Sequence, residues 1–227
     1  MYKVFSEWGQ YDENERWMRM YRLFMLLPFI FLLITPLHSY ASPLSEDSLI
    51  NDLRKGGYIL YVRHGEATLG EDQQDLSLTD CSTQRNLSAR GLDQAKNYGE
   101  AIRKLHIPVT FPVESSPLCR TVQTAEAAFG KPNVTVNEFW MNIYELSKNI
   151  NTEDAQNIIQ AFTNEVERIT SNTSNRVIIA HSFPQGMGLG DIPYMGTVIL
   201  KPLGNHMGYE IVKRLTLEDV LRLAEMQ

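Results

Sequence analysis

Two short runs, Tyr58-Ile59-Leu60-Tyr61-Val62 and Val177-Ile178-Ile179-Ala180, are apolar at every position rather than at alternate ones. A strand with one face in water shows a two-residue alternation, so an unbroken apolar run of this length reads as a strand covered on both faces. Such strands belong to parallel sheets with helices packed on each side. The segments around them fit that plan. Ser45 to Lys55 opens on a capping serine, carries Glu46 and Asp47 in its first turn and stops at Gly56-Gly57. From Ser88, Leu92, Ala95, Tyr98, Gly99, Ile102 and Leu105 recur at three- and four-residue steps until Pro108. Ser115-Ser116-Pro117 opens a helix that runs through Ala128 to Gly130, and Thr152 to Thr170 sets Ile158, Ile159, Phe162, Val166 and Ile169 on one face. Residues 110–113, 134–136, 197–200 and 209–212 read as further strands, and a last helix begins at Leu217. The class is therefore α/β: three layers, with a mostly parallel mixed central sheet flanked by helices. Ligands of such folds bind outside the carboxyl ends of the strands.

Each of the two apolar runs ends in histidine. Arg63-His64-Gly65 follows the first directly and His181 follows the second, so the two imidazoles face one crevice if the strands are neighbours. Arg63 beside His64, and Arg120 at a helix start near Pro117, supply planar guanidinium donors suited to phosphate oxygens, and the helix start adds the positive end of its dipole. Residues 66–87 are polar and aperiodic, and a loop of that length in a compact domain is usually functional. Within it Arg85 is a further phosphate-binding candidate. The chain as a whole has a net charge of −6 and a pI near 5.4, which leaves no broad basic surface for nucleic acid. An anion site must be local.

Four stretches occur in a fixed order: Arg63-His64-Gly65-Glu66; Leu87-Ser88-Ala89-Arg90-Gly91-Leu92-Asp93-Gln94-Ala95; Ser116-Pro117-Leu118-Cys119-Arg120-Thr121 with Thr124-Ala125; and Ile179-Ala180-His181. In these, over most of Gly57 to His181, the chain resembles the histidine phosphatase superfamily, also called phosphoglycerate-mutase-like. The resemblance implies that His64 is the nucleophile and that Arg63, Arg120 and His181 bind the phosphoryl group. The family's acid, which protonates the leaving oxygen, has no clean match. Glu145 is the first choice, followed by Glu138 and Glu66, while Ser182-Phe183-Pro184 stands after His181 where another branch carries a carboxylate. The glycines of Gly186-Met187-Gly188-Leu189-Gly190 read either as an anion cradle or as a rim loop. No metal or organic cofactor is required by that chemistry, and without zinc-type spacing of Cys and His a structural metal has no support.

The N-terminus departs from the rest. Phe24 to Thr35 is an uncharged apolar run preceded by Arg19 and Arg22 and followed by Ser39-Tyr40-Ala41, the layout of an export signal. Residues 1–41 are read as a signal peptide, or as an N-terminal membrane anchor, with Met18 or Met20 as alternative starts, and residues 42–227 as one catalytic domain. Export to a periplasmic or external space makes a Cys81–Cys119 disulfide plausible beside the alternative of two free thiols. The expectation is an exported phosphatase that hydrolyses a phosphorylated small molecule through a phosphohistidine on His64, with membrane association through the N-terminal segment only. Export removes a mutase from its intermediates. A phosphohistidine protein phosphatase returns if the apolar run is an anchor facing the cytoplasm, and the missing acid keeps open a non-catalytic phosphate-binding module.

Overall fold

A six-stranded sheet in the order β3-β2-β4-β1-β5-β6 runs through the protein. The structure is a computed structural model and describes residues 45–148, 150–169, 171–204 and 206–226; the proposed signal or anchor lies outside them. In chain order the elements are α1 (Glu46–Lys55), β1 (Ile59–Arg63), α2 (Ala89–Lys104), β2 (Val113–Ser115), α3 (Cys119–Phe129), β3 (Val134–Val136), α4 (Met141–Glu145), α5 (Thr152–Val166), β4 (Arg176–Ala180), β5 (Thr197–Pro202), β6 (Tyr209–Leu215) and α6 (Leu217–Glu225). β3, β2, β4 and β1 are parallel, and β5 and β6 are added antiparallel at one edge. No described helix is long and apolar enough to cross a membrane.

The unbroken apolar runs are the central strands, and each strand divides its side chains between two cores. Leu60, Val62, Val177, Ile179 and Ile199 pack with Leu49, Leu53, Tyr98, Ile102, Ala125, Val220 and Leu223 from α1, α2, α3 and α6. Ile59, Tyr61, Ile178, Ala180, Val198 and Leu200 pack with Trp140, Phe162, Val166 and Phe183 on the other face. Burial of each such aliphatic side chain stabilises by about 1.5–3 kcal/mol, so both faces of the same strands hold the three layers together. Helix starts are capped as the sequence suggests: Ser45 and Ser88 accept from Ser48 and Gly91 backbone N–H groups, and Thr216 forms a capping box with Asp219.

Close backbone approach explains two glycines. A Cβ on Gly99 of α2 would stand 2.0 Å from the Ala128 carbonyl oxygen of α3, so the two helices cross where there is no side chain. A Cβ on Gly65 would stand 2.5 Å from the Gly91 carbonyl oxygen, which seats the residues after β1 on the first turn of α2.

Several boundaries differ from expectation. β2 is Val113–Ser115 rather than 110–113, and α3 begins at Cys119 because Ser116 extends the sheet ladder, donating its N–H to Ile179 O. α5 stops at Val166, where the buried Glu167 carboxylate accepts the Gly208 N–H, and Ile169 beyond it is exposed, as Leu92 partly is. The short 3-10 turn Glu138–Trp140 and α4 are too brief for periodicity to reveal them.

Candidate active site

β1 and β4 are adjacent and parallel with Arg63 opposite Ala180, so the residues that follow, His64 and His181, come side by side. The His64 N–H donates to Ala180 O at 3.0 Å and the two ring centroids are 5.5 Å apart in an edge-on arrangement. Both imidazoles are almost wholly buried. His64 Nδ1 lies 2.7 Å from the Gly65 carbonyl oxygen, which can only accept, so the proton sits on Nδ1 and Nε2 keeps its lone pair. Burial first, then the charge of Arg120, holds the His64 pKa well below the usual histidine value. His181 is held low by burial and then by His64, and its Nε2 shares a 2.9 Å hydrogen bond with the buried Ser116 hydroxyl. Its carbonyl accepts from Tyr61 Oη at 2.8 Å.

Three guanidinium groups surround this pair. Arg63 donates through Nη1 to Ile192 O at 2.6 Å, lies 3.8 Å from Asp191, and stacks 4.2 Å from the Tyr194 ring centroid. Tyr194 in turn lies against the His64 ring and accepts from Arg85 Nη2 at 3.3 Å. Arg120 stands over Tyr144, whose ring packs against His181. The Nε atoms of Arg63, Arg85 and Arg120 are buried and have no hydrogen-bond partner among the described residues. A buried donor left unpaired costs about 1–3 kcal/mol, so three on the same cluster point to a group outside the chain that accepts from it.

Residues 67–87 close over the site as a loop. Its neck is the Ala67–Leu87 bridge, and its far end carries the 3-10 turn Cys81–Thr83. Cys81 is bonded to Cys119, the residue before Arg120, and Gln84 Oε1 accepts the Cys119 N–H at 2.7 Å. Of the two thiol readings, the bridge is the one present. The loop delivers Asp72, which sequence reasoning missed. Its carboxylate takes Arg120 Nη1 and Nη2 at 2.9 and 3.1 Å, the Arg85 N–H at 2.7 Å and Tyr144 Oη at 2.8 Å. Burial raises the Asp72 pKa, but these donors outweigh it and hold the carboxyl below its ordinary value.

The structure thus brings together His64, Arg63, Arg120, His181 and Arg85, but not Glu145. Neighbours on a helix point about 100° apart, and with Tyr144 turned to Asp72 and His181, Glu145 turns aside to pair with Lys148 at 2.9 Å. Glu138 is exposed. Glu66 accepts from the Ser88 hydroxyl and lies 3.5 Å from Arg90, beside the start of α2. The Gly186–Gly190 segment folds on itself, with Gly190 N–H donating to Met187 O and Met187 N–H to Pro184 O, so these two amides are taken up by a turn. Tyr144 and Tyr194 had no spacing or motif that marked them beforehand, and Ser116 opens the third ordered stretch without a role attached to it there.

Compared with curated proteins, the chain finds no match in sequence. Among solved structures it is similar to the protein histidine phosphatase SixA complexed with tungstate, at 16% identity and a TM-score of 0.47 over 72% of this chain and 99% of that one. It is also similar to a phosphoserine phosphatase from Entamoeba histolytica in complex with 3-phosphoglyceric acid, at 16% identity and a TM-score of 0.45 over 72% and 98%. A third is the ecdysone phosphate phosphatase from Bombix mori in complex with tungstate, at 15% identity and a TM-score of 0.40 over 69% and 92%. The sequence profile of the histidine phosphatase superfamily (branch 1) matches residues 59–176, from the first strand of the site to the first residue of the strand that bears His181. That match takes in more than half of the chain, which therefore belongs to the histidine phosphatase superfamily, a family of phosphatase chemistry.

Proposed function

We propose that this chain is an exported phosphomonoesterase that forms a phosphohistidine on His64. The observation that carries the reading is the neutral His64 imidazole with Nε2 unprotonated, set among three arginines whose Nε–H groups find no acceptor among the described residues. The Nε2 lone pair attacks phosphorus, the bond to the leaving oxygen breaks with its electron pair, and that oxygen takes a proton from water. Water then attacks the phosphohistidine, the N–P bond breaks, and inorganic phosphate leaves with His64 restored. Arg63, Arg85 and Arg120 stabilise the charge spread over the three equatorial oxygens, and His181, oriented by Ser116, hydrogen-bonds the same group.

A specific feature favours a second substrate type. The most heavily bonded carboxylate beside the cluster, Asp72, is held ionised, so it does not stand ready to protonate a poor leaving group. Substrates that leave without such help, including the N–P bond of phosphohistidine and phenolic esters, suit this arrangement best. The disulfide beside Arg120 supports folding in an oxidising compartment, in keeping with a cleaved signal or an anchor before residue 42 and one catalytic domain after it.

The test is turnover of p-nitrophenyl phosphate by the purified full chain, with trapping of an acid-labile phosphoenzyme. His64→Ala is expected to abolish both. Anion binding without turnover in the parent chain would instead establish a phosphate-binding module.

A further inference from the structure

Asp72 has no part in the chemistry above, yet it is the most heavily bonded carboxylate beside the site. Four donors from three parts of the chain converge on it: two from Arg120 on α3, the Arg85 N–H of its own loop and the Tyr144 hydroxyl of α4. Its side chain is 11% exposed and that of Arg120 only 3%. A guanidinium offers two forks. Asp72 fills the Nη1–Nη2 fork, and Arg85 O takes Nη1 as well at 3.1 Å. The other fork, Nε with the second hydrogen of Nη2, has no partner at Nε among the described residues. Oxyanions are bound by arginine through just such paired donors.

We propose that Asp72 is a positioning residue: by gripping one fork of Arg120 it fixes the guanidinium in the orientation in which the Nε–Nη2 fork meets the phosphoryl oxygens. The rest of the network serves the same end. Tyr144 donates to Asp72, and burial, then this hydrogen bond, pushes its phenol up to about 12, so it remains a donor at neutral pH. Its ring meanwhile packs between Arg120 and His181, so one carboxylate fixes the relative placement of an arginine and a histidine on separate elements. Four charge-assisted or neutral hydrogen bonds would have to break for Asp72 to step aside, which sets this role apart from that of a placeholder displaced by phosphate.

The proposal rests on the phosphatase reading, and its test uses anion binding so that the two can fail separately. Vanadate, which takes the five-coordinate geometry of the transition state on a histidine nitrogen, and inorganic phosphate are titrated calorimetrically into the full chain. Asp72→Asn is expected to weaken vanadate by at least ~10-fold, the scale of a misplaced catalytic contact, and phosphate by less than ~3-fold. A residue serving only to hold the loop would lower the thermal midpoint and leave both affinities of the folded protein unchanged. Equal affinities, or tighter phosphate binding in Asp72→Asn, overturn the proposal, the latter identifying Asp72 as a placeholder. Should Asp72→Asn fail to fold, Tyr144→Phe removes one of the four donors while keeping the ring, and the same vanadate-selective loss, smaller in size, is expected; its absence is equally decisive. If vanadate binding behaves as expected but the parent chain turns nothing over, the phosphatase reading falls and the role of Asp72 stands. If the parent chain binds neither anion, both fall.

Discussion

Burial, before any neighbouring charge, keeps His64 and His181 neutral, and this ties the site to the stability of the whole fold. In the unfolded chain each imidazole titrates near the ordinary histidine value of about 6.5, whereas in the folded protein each stays deprotonated well below it. The unfolded state therefore binds more protons as pH falls below 6.5, and the stability supplied by the neutral rings is lost progressively in that direction. Each histidine contributes a slope of up to about 1.4 kcal/mol per pH unit within its window. Thermal midpoints recorded between about pH 7.5 and 5, the range in which unfolded histidine titrates, are expected to fall more steeply in the parent chain than in His64→Gln. Superimposable profiles would show that His64 is not held neutral by the fold. At this scale the sequence displayed the histidines and arginines clearly, because each adjoins a strand end or a helix start whose apolar pattern is strong. Asp72 and Tyr194 sit in stretches without periodicity, and nothing local distinguishes Asp72 from Asp75 or Glu71. Chemistry alone favours Glu145 over its neighbour Tyr144 as an acid, and the helix turns the tyrosine inward instead.

Two contacts between elements make strong claims about packing. α2 and α3 meet at Gly99 and Ala128, where an added methyl has only backbone to displace. Gly99→Ala is expected to cost about 1–3 kcal/mol through overpacking, despite the better helix propensity of alanine, and urea unfolding would measure it. An unchanged or raised midpoint would mean that the helices separate freely. At the other end of the sheet, Arg176 of β4 donates to Glu114 of β2 at 2.6 and 3.0 Å and to Glu165 of α5 at 2.7 Å, while Trp140 Nε1 and Asn137 also donate to Glu114. Glu114→Ala removes the acceptor of four donors and leaves Arg176 a single carboxylate; a loss of about 3–5 kcal/mol is expected from denaturant unfolding. A loss below ~1 kcal/mol would place this network with ordinary surface pairs. The central strands and long helices were readable because burial imposes a period or removes one. This ion-pair junction was not, since Glu114 and Arg176 are far apart in sequence and each alone looks like a solvated charge.

Across the molecule, the Cys81–Cys119 bridge joins the loop over the site to the helix that bears Arg120, with a sequence separation of 38 residues. Closing a loop of that length restricts the unfolded chain by about 4 kcal/mol in the chain-entropy model. Reduction, or Cys81→Ser with Cys119→Ser, is therefore expected to lower the thermal midpoint clearly, by roughly 4–8 °C for each kcal/mol in a small domain and less in a larger one. A midpoint unmoved by reductant would show that the loop is held by its hydrogen bonds alone. The layered α/β class, the strand-end histidines and the family were all legible from the sequence, as they rest on long apolar patterns and ordered motifs. The closure of residues 67–87 over the site was not, because it depends on a bridge and on side chains that meet only in three dimensions.

The pairing of β1 with β4 also sets a timetable. Tyr61, whose hydroxyl holds the His181 carbonyl, precedes it by 120 residues, and β4 must insert between β2 and β1 before the two imidazoles stand side by side. At ~5–20 residues per second, a ribosome takes roughly 6–24 s to make that stretch. Throughout the interval β1 has no parallel neighbour and the nascent chain lacks His181. A polypeptide built this way assembles its pair of histidines late, after most of it has been synthesised.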